Sequence, residues 1–383
     1  VVGQRLRAGH GRVSKRNVHH SDERGAWYNG LCRLVHSPAH PAKEEALRLL
    51  ILGGTRFVGR HLAAAALERG HAVTLVHRGR TNPGLFPQAE HLLGDREGDL
   101  SFLAGRRWDA VLDVCGYTPE PVQAAAERLA GAVDRYVFIS TVSVYADPRV
   151  PGADEDAPLA DPADGGNVGD IGYGGLKVRC ERAVETVFAD RALIVRPGLI
   201  AGPYDWSGRF SYWPWRFARG GEVLAPGGPD LPVQFIDGRD LGEWLVRCAE
   251  AGTTGIYNAV SPTLALGEVL AACRAAVDAP ADTRIAWVAE DFLLEHGVEP
   301  WTGLPLWIPG PEGAAFLSVD SHRARAAGLT FRPVSATARD TWSWLRELGG
   351  ALPVPAPDDP ARPGPLRPER EAEVLRAWSE RAC

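Results

Sequence analysis

The sequence predicts an α/β protein built on a doubly wound parallel sheet, with a smaller, discontinuous C-terminal domain. Two observations predict it. From Leu47 onward, short apolar runs alternate with amphipathic stretches, the pattern of βαβ units. The first of these runs also passes directly into a glycine-rich loop and a helical stretch. The length of 383 residues fits, since domains run to roughly 100–200 residues and two or three compact units are expected.

Taken in order, Leu47–Leu52 reads as the first strand and Val58–Arg69 as a helix closed by Gly70. Ala72–Val76, His91–Leu93, Ala110–Val114 and Tyr136–Ser140 read as further strands, with a helix near Pro121–Leu129. Tyr173–Phe188 reads as a helix and Ala192–Arg196 as the next strand. Residues 47–200 thus form the first domain, and Gly255–Val260 is expected to return to its sheet. Residues 201–350 form most of the second domain, with helices at Leu241–Cys248, Leu264–Val277 and Ser335–Leu348. Residues 351–383 open with seven prolines and read as a tail with a mixed-charge, helix-like end.

Residues 1–46 carry eight Lys/Arg, four Asp/Glu and five His without a sustained period, and read as a flexible extension. Cys32, His36 and His40 share a helical spacing there, but Pro38 and Pro41 oppose the helix a metal site would need, so no metal is expected. The six Cys are widely separated with no C-x-x-C pair, against a disulfide framework or zinc ribbon. A net charge of −6 disfavours general nucleic-acid binding. No apolar run approaches the roughly 18 residues of a membrane span, and the N-terminus lacks a secretory pattern. A cytoplasmic protein is therefore the expectation. The chain contains no Met, which leaves two readings of Val1: a non-ATG start, or a displaced reading frame.

Gly53-Gly54-Thr55-Arg56-Phe57-Val58-Gly59 lies between a strand and a helix. Small residues there let the backbone approach a pyrophosphate, and the helix N-terminus offers free N–H groups, which marks a Rossmann-type dinucleotide site. At the end of the second strand an acidic residue would hold the ribose hydroxyls of NAD, but His77-Arg78-Gly79 stand there. The guanidinium of Arg78 suits a 2′-phosphate, so NADP(H) is favoured over NAD(H). Asp95, beside Arg96 at the end of the third strand, is a candidate for the adenine edge.

Tyr173 and Lys177 stand four residues apart on a predicted helix and share a face. A tyrosine is a poor base near neutrality, and a nearby ammonium would favour its phenolate. Thr141, at a strand end, offers a hydroxyl to hold a substrate oxygen beside Tyr173.

Together the glycine loop, Tyr136–Tyr145, Tyr173-Gly174-Gly175-Leu176-Lys177, Arg196-Pro197-Gly198 and Phe235–Leu241 resemble the extended short-chain dehydrogenase/reductase superfamily, in its NAD-dependent epimerase/dehydratase branch. The resemblance spans about Leu47 to Gly350. It implies a Rossmann domain, a small C-terminal substrate domain, and Thr141, Tyr173 and Lys177 as the catalytic set. It also implies that Lys177 holds the nicotinamide ribose, that Val114, Cys115 and Gly116 and the stretch through Pro197, Gly198 and Ile200 border the cofactor, and that such chains form homodimers through the Tyr173 helix.

Two departures refine the expectation. Arg56 replaces the middle glycine, as in an atypical subgroup that includes chloroplast stem-loop RNA-binding proteins, which keeps a cofactor-regulated RNA-binding protein as an alternative. Val142 and Ser143 replace the Asp-Glu pair of sugar dehydratases, against dehydration. The resulting expectation is an NAD(P)-dependent oxidoreductase acting on a carbonyl or alcohol, with a nucleotide-sugar epimerase as the enzymatic alternative. On the substrate side the candidates are Ser143, Trp206, Arg209 and Trp213. The aromatics there read equally as a stacking wall or as interdomain core.

Overall fold

The structure is a computed structural model that describes residues 46–160, 172–353 and 364–381. The extension and its Cys32/His36/His40 set lie outside these residues. Seven strands form the main sheet: β1 (Arg48–Leu52), β2 (Ala72–His77), β3 (Glu90–Leu93), β4 (Trp108–Asp113), β5 (Val133–Ile139), β6 (Ala192–Pro197) and, after four short strands, the returning β11 (Gly255–Ala259). Their order is β11-β6-β5-β4-β1-β2-β3, and every pairing is parallel. This is the predicted doubly wound sheet.

The central strand shows why the sequence folds this way. Leu49 and Ile51 pack into one core and Leu50 and Leu52 into another, so an unbroken apolar run serves a sheet covered on both faces. On the first face lie α1 (Phe57–Glu68) and α5 (Gly238–Ala251), and on the second α2 (Pro119–Leu129) and α3 (Tyr173–Phe188). Chain order reverses at β1, between β2 and β4, and the strand ends there open the crevice in which such sheets hold ligands.

The second core is built by α4 (Tyr212–Phe217), the short strands β7 (Leu199–Ala201), β8 (Glu222–Pro226), β9 (Pro232–Val233) and β10 (Phe235–Asp237), and later elements. These are β12 (Leu264–Ala265), α6 (Leu266–Ala276), β13 (Arg284–Val288), α7 (Glu290–Glu295), α8 (Gly310–Phe316), α9 (His322–Ala326), α10 (Val334–Glu347) and α11 (Pro368–Arg381). Trp213, fully buried in that core, donates its indole N–H to the Pro305 carbonyl at 3.2 Å. It fills the second core and is not part of a substrate wall, because its ring has no free face to offer.

The tail expectation also changes for its last part. Within α11, Glu371 is buried and pairs with Arg216 of α4 at 2.5 Å, while Val374 packs into the second core. Removing either partner of such a pair would strand a buried charge, so the contact holds α11 down. The mixed charge of this segment concealed one inward carboxylate. Among the described residues no helix is long and apolar enough to cross a membrane.

Candidate functional site

The glycine loop has the backbone its residue types allow. Gly53 and Gly54 take φ of 114° and 56°, and a Cβ on Gly59 would lie 2.7 Å from the Gly54 nitrogen. The loop therefore hugs the start of α1, as close approach to a pyrophosphate requires. Arg56 precedes the helix without capping it by its side chain, which leaves the first-turn N–H groups free of that partner. Phe57 has φ of 35°, an uncommon conformation for a residue with a Cβ. Val58 is half-buried and Thr55 buried. These features fit a dinucleotide.

Neighbouring loops complete the cradle. Arg56, Arg78 and Arg80 are exposed, and the carboxylate of Asp95 lies 4.0 Å from Arg78. Asp95 also accepts the Glu97 N–H, so it shapes its own turn. Asn82, which sequence reasoning missed, ties the Arg78–Arg80 loop to the Thr55 carbonyl at 3.0 Å. Arg96 departs from expectation. Its guanidinium points inward to the fully buried Asp113 at 2.5 Å and to the Cys115 sulfur at 3.4 Å, so it braces the site from below. Asp113 also accepts the Tyr136 hydroxyl at 2.8 Å, and the Arg96 guanidinium beside it holds its carboxyl below the usual range. Burial pushes the Cys115 thiol up to about 11, and its Sγ donates to the Leu52 carbonyl, so it is not a nucleophile. Val114 packs against Gly53, and Gly198, with no room for a Cβ, against Val260. Pro197 ends β6 and Ile200 lies in β7.

Thr141 follows β5, accepts the Ser143 N–H at 3.2 Å, and donates its hydroxyl to the Ser143 Oγ at 3.2 Å. Its hydroxyl also acts on the Tyr173 phenol, favouring the phenolate. The approach is set by Gly174, whose missing Cβ would stand 2.0 Å from the Ser143 carbonyl oxygen. The Tyr173 ring remains 50% exposed while burial of its hydroxyl end, aided by Tyr117, pushes the phenol up to about 12.

Lys177 is 2% exposed and donates to the carbonyls of Gly116 and Ile139, each at 2.6 Å. Burial lowers its ammonium to about 8. The expected lowering of the tyrosine by the lysine is thus not what this geometry gives. The ammonium is turned to the strand ends, and the groups that favour the phenolate are Thr141 and Arg209. Beyond it, Arg196 and Glu181 form a buried pair with bonds of 3.0 and 2.7 Å that fixes α3 to β6. Glu181 stands one helical turn after Lys177, the signal that would have found it.

On the open side, Arg209 is half-buried over the Trp301 ring at 5.3 Å, and its charge acts on Tyr173 and Asp205. Asp205 is 1% exposed and one of its oxygens has no partner. Trp206 packs edge-on against Trp344 of α10. Trp344 lines a separate cavity of about 340 Å³ with His61, Tyr204 and Arg239, which none of Thr141, Tyr173 or Lys177 borders.

Comparison with known proteins adds the following. No protein-family model matches the chain. A 146-residue stretch is 32% identical to "Chloroplast stem-loop binding protein of 41 kDa b, chloroplastic" of Arabidopsis thaliana, spanning 33% of this chain and 38% of that protein's length. Over 234 residues the chain is 27% identical to "Epimerase family protein SDR39U1" of Bos taurus, covering 56% of this chain and 75% of that protein. Among solved structures, the Bordetella bronchiseptica enzyme WbmH in complex with NAD+ superposes with a TM-score of 0.61 at 19% identity, covering 79% of this chain and 99% of that one. At that identity the likeness shows the fold.

Proposed function

We propose that the chain is an extended short-chain dehydrogenase/reductase, an NAD(P)-dependent oxidoreductase acting on a carbonyl or alcohol, a reading its fold and its partial sequence likeness support. The observation that carries this reading is the convergence of Thr141, Tyr173 and Lys177 at the strand ends beside the glycine loop. The loop from Gly53 to Gly59 would hold the pyrophosphate, Lys177 the nicotinamide ribose, and Arg78 a 2′-phosphate. The bound nicotinamide supplies or accepts a hydride.

The chain's own part is proton handling and orientation. With its phenol at about 12, Tyr173 keeps its proton at neutral pH and gives it to the substrate oxygen during reduction. Thr141 orients that oxygen. Arg209 on the open side is the cation that favours the phenolate as it forms. Ser140, whose buried hydroxyl lacks a partner, adds a donor beside Thr141.

A cofactor titration tests the reading. The protein is expected to bind NADPH at least about tenfold more tightly than NADH, a gap of about 1.4 kcal/mol, and Arg78→Ala to remove that gap. Equal binding of NADH would overturn the NADPH preference and favour the nucleotide-sugar epimerase, a reading that the name of the Bos taurus relative also supports.

On the substrate side, Arg209 would pair with an anionic group. Arg209→Ala is expected to raise KM for an anionic substrate about tenfold or more, since a charge-assisted hydrogen bond contributes about 1.5–3 kcal/mol; steady-state kinetics against an uncharged analogue check it. A cofactor-regulated RNA-binding protein is the second reading, favoured by the Arabidopsis match. A homodimer through α3 would join polar surfaces, because Arg182 and Glu185 of α3 and Glu120, Gln123 and Glu127 of α2 face outward.

A further inference from the structure

At the edge of the cofactor crevice two imidazoles form a chain whose proton positions are dictated by its ends. His77 closes β2, and its Nδ1 accepts the N–H of Gly79 at 3.0 Å. Its Nε2 lies 2.8 Å from Nδ1 of His91 on β3, and Nε2 of His91 lies 3.1 Å from the Phe86 carbonyl. A backbone N–H can meet only an unprotonated nitrogen, so His77 carries its proton on Nε2 and donates it to His91. His91 then carries its own proton on Nε2 and donates to Phe86. All three bonds are made only when both rings are neutral. A further proton on His77 sets Nδ1–H against the Gly79 N–H, and one on His91 sets Nδ1–H against Nε2–H of His77.

These bonds join parts that the glycine loop and Arg78 depend on. Gly79, at φ of 71°, ends the His77-Arg78-Gly79 turn. Phe86 lies in the same connection as Asn82, which holds the Thr55 carbonyl.

Other charged groups on the surrounding elements are engaged elsewhere or face solvent. Arg56, Arg78 and Arg80 are exposed, and Asp95 lies 4.0 Å from Arg78. Glu90 of β3 is bonded to Thr74 and Arg106, and Arg96 to Asp113. On α1, Arg60 lies over the Tyr204 ring and His61 meets the Pro203 carbonyl. His91 is the charge that acts on His77.

We propose that His77 and His91 are a positioning pair that holds the Arg78 turn against the dinucleotide only while both rings are neutral, so that acid loosens the cofactor. The proposal rests on the dinucleotide reading above and adds a regulation to that site. Burial, together with the neighbouring His91, keeps His77 below the ordinary imidazole value of 6.5. His77 is therefore neutral at pH 7, and binding is lost as pH falls through its lowered value.

The test is NAD+ affinity of the full chain at about pH 7.5 and about pH 5, in the native protein and in His77→Gln, whose amide can accept and donate but does not titrate here. NAD+ is the probe because it lacks a titrating 2′-phosphate. The native affinity is expected to fall about fivefold or more across that range, and the ratio to approach one in His77→Gln. A flat native profile, or an unchanged slope in the variant, overturns the proposal. A second readout does not need the cofactor: nitrogen-detected imidazole NMR, with the variant assigning the rings, should find both as Nε2–H tautomers near neutrality and His77 titrating below 6.5. Titration of His77 at the ordinary value, or an Nδ1–H tautomer in either ring, overturns it too. Failure of NAD+ and NADPH to bind at any pH while the rings behave as expected sinks the dinucleotide reading, and with it the role of the pair in holding a cofactor.

Discussion

Tyr173→Phe is expected to lower turnover by about 100- to 10,000-fold, the range for loss of a positioned general acid, with the melting temperature essentially unchanged. The substitution removes one oxygen from a ring that is 50% exposed, so the core does not register it. What it removes is the proton that desolvation keeps on the phenol up to about 12 and the group on which Thr141 acts. The pH profile of carbonyl reduction separates the contributing groups. The ammonium of Lys177 is cationic below about 8 and neutral above it, so its hold on the cofactor ribose, and with it the rate at subsaturating cofactor, is expected to persist from neutrality to that value and then fall. A fall that begins only near 12 would instead assign the profile to Tyr173 alone. The same variant separates the two classes of function: under the RNA-binding reading it leaves RNA retention unchanged, and no turnover exists to lose. Full activity in Tyr173→Phe would remove the proton-transfer role from this residue.

Much of this architecture is written in local pattern. The run into β1, the glycines after it and the helix following them are local in sequence, and α3 begins and ends at the residues its periodicity marks, Tyr173 and Phe188. The return of Gly255–Ala259 to the sheet edge beside β6 was also legible, because a short apolar run after a long helix leaves few other places for it. The less legible features depend on direction through space. An aromatic-rich segment such as 204–216 has the same composition whether its rings line a cleft or fill a core, and only packing turned Trp213 inward and left Arg209 facing Tyr173. Spacing put Lys177 on the face of Tyr173 but could not show that the carbonyls of Gly116 and Ile139 would take its ammonium. Arg96, beside Asp95, was a candidate cofactor residue; its partner Asp113 lies on β4, seventeen residues on. His91 carried no motif at all, and its meaning comes from the β2–β3 register that sets it beside His77.

Gly174→Ala is the second large effect expected, and it tests whether this packing positions the chemistry. Position 174 is the second residue of α3, and an added Cβ would stand 2.0 Å from the Ser143 carbonyl oxygen and 3.0 Å from its carbon. Neither is the mobile end of a side chain, so α3 or the 142–144 turn must move. That turn carries Ser143, to which Thr141 is bonded through both the backbone N–H and the hydroxyl, so a shift there separates Thr141 from Tyr173. A displacement of about 1 Å at a reacting group costs on the order of 100-fold in rate, and overpacking costs about 1–3 kcal/mol of stability. The control is Gly172, the residue just before α3. A Cβ on Gly172 meets nothing within 4 Å, so Gly172→Ala should leave kcat and the melting temperature near the native values. A loss of kcat in Gly174→Ala, with NAD(P) affinity retained, would place the effect at the Thr141–Tyr173 contact, since the glycine loop is held by its own bonds to Val76 and Asn82. Native kcat in Gly174→Ala would mean that the contact between α3 and Ser143 does not set the position of Tyr173.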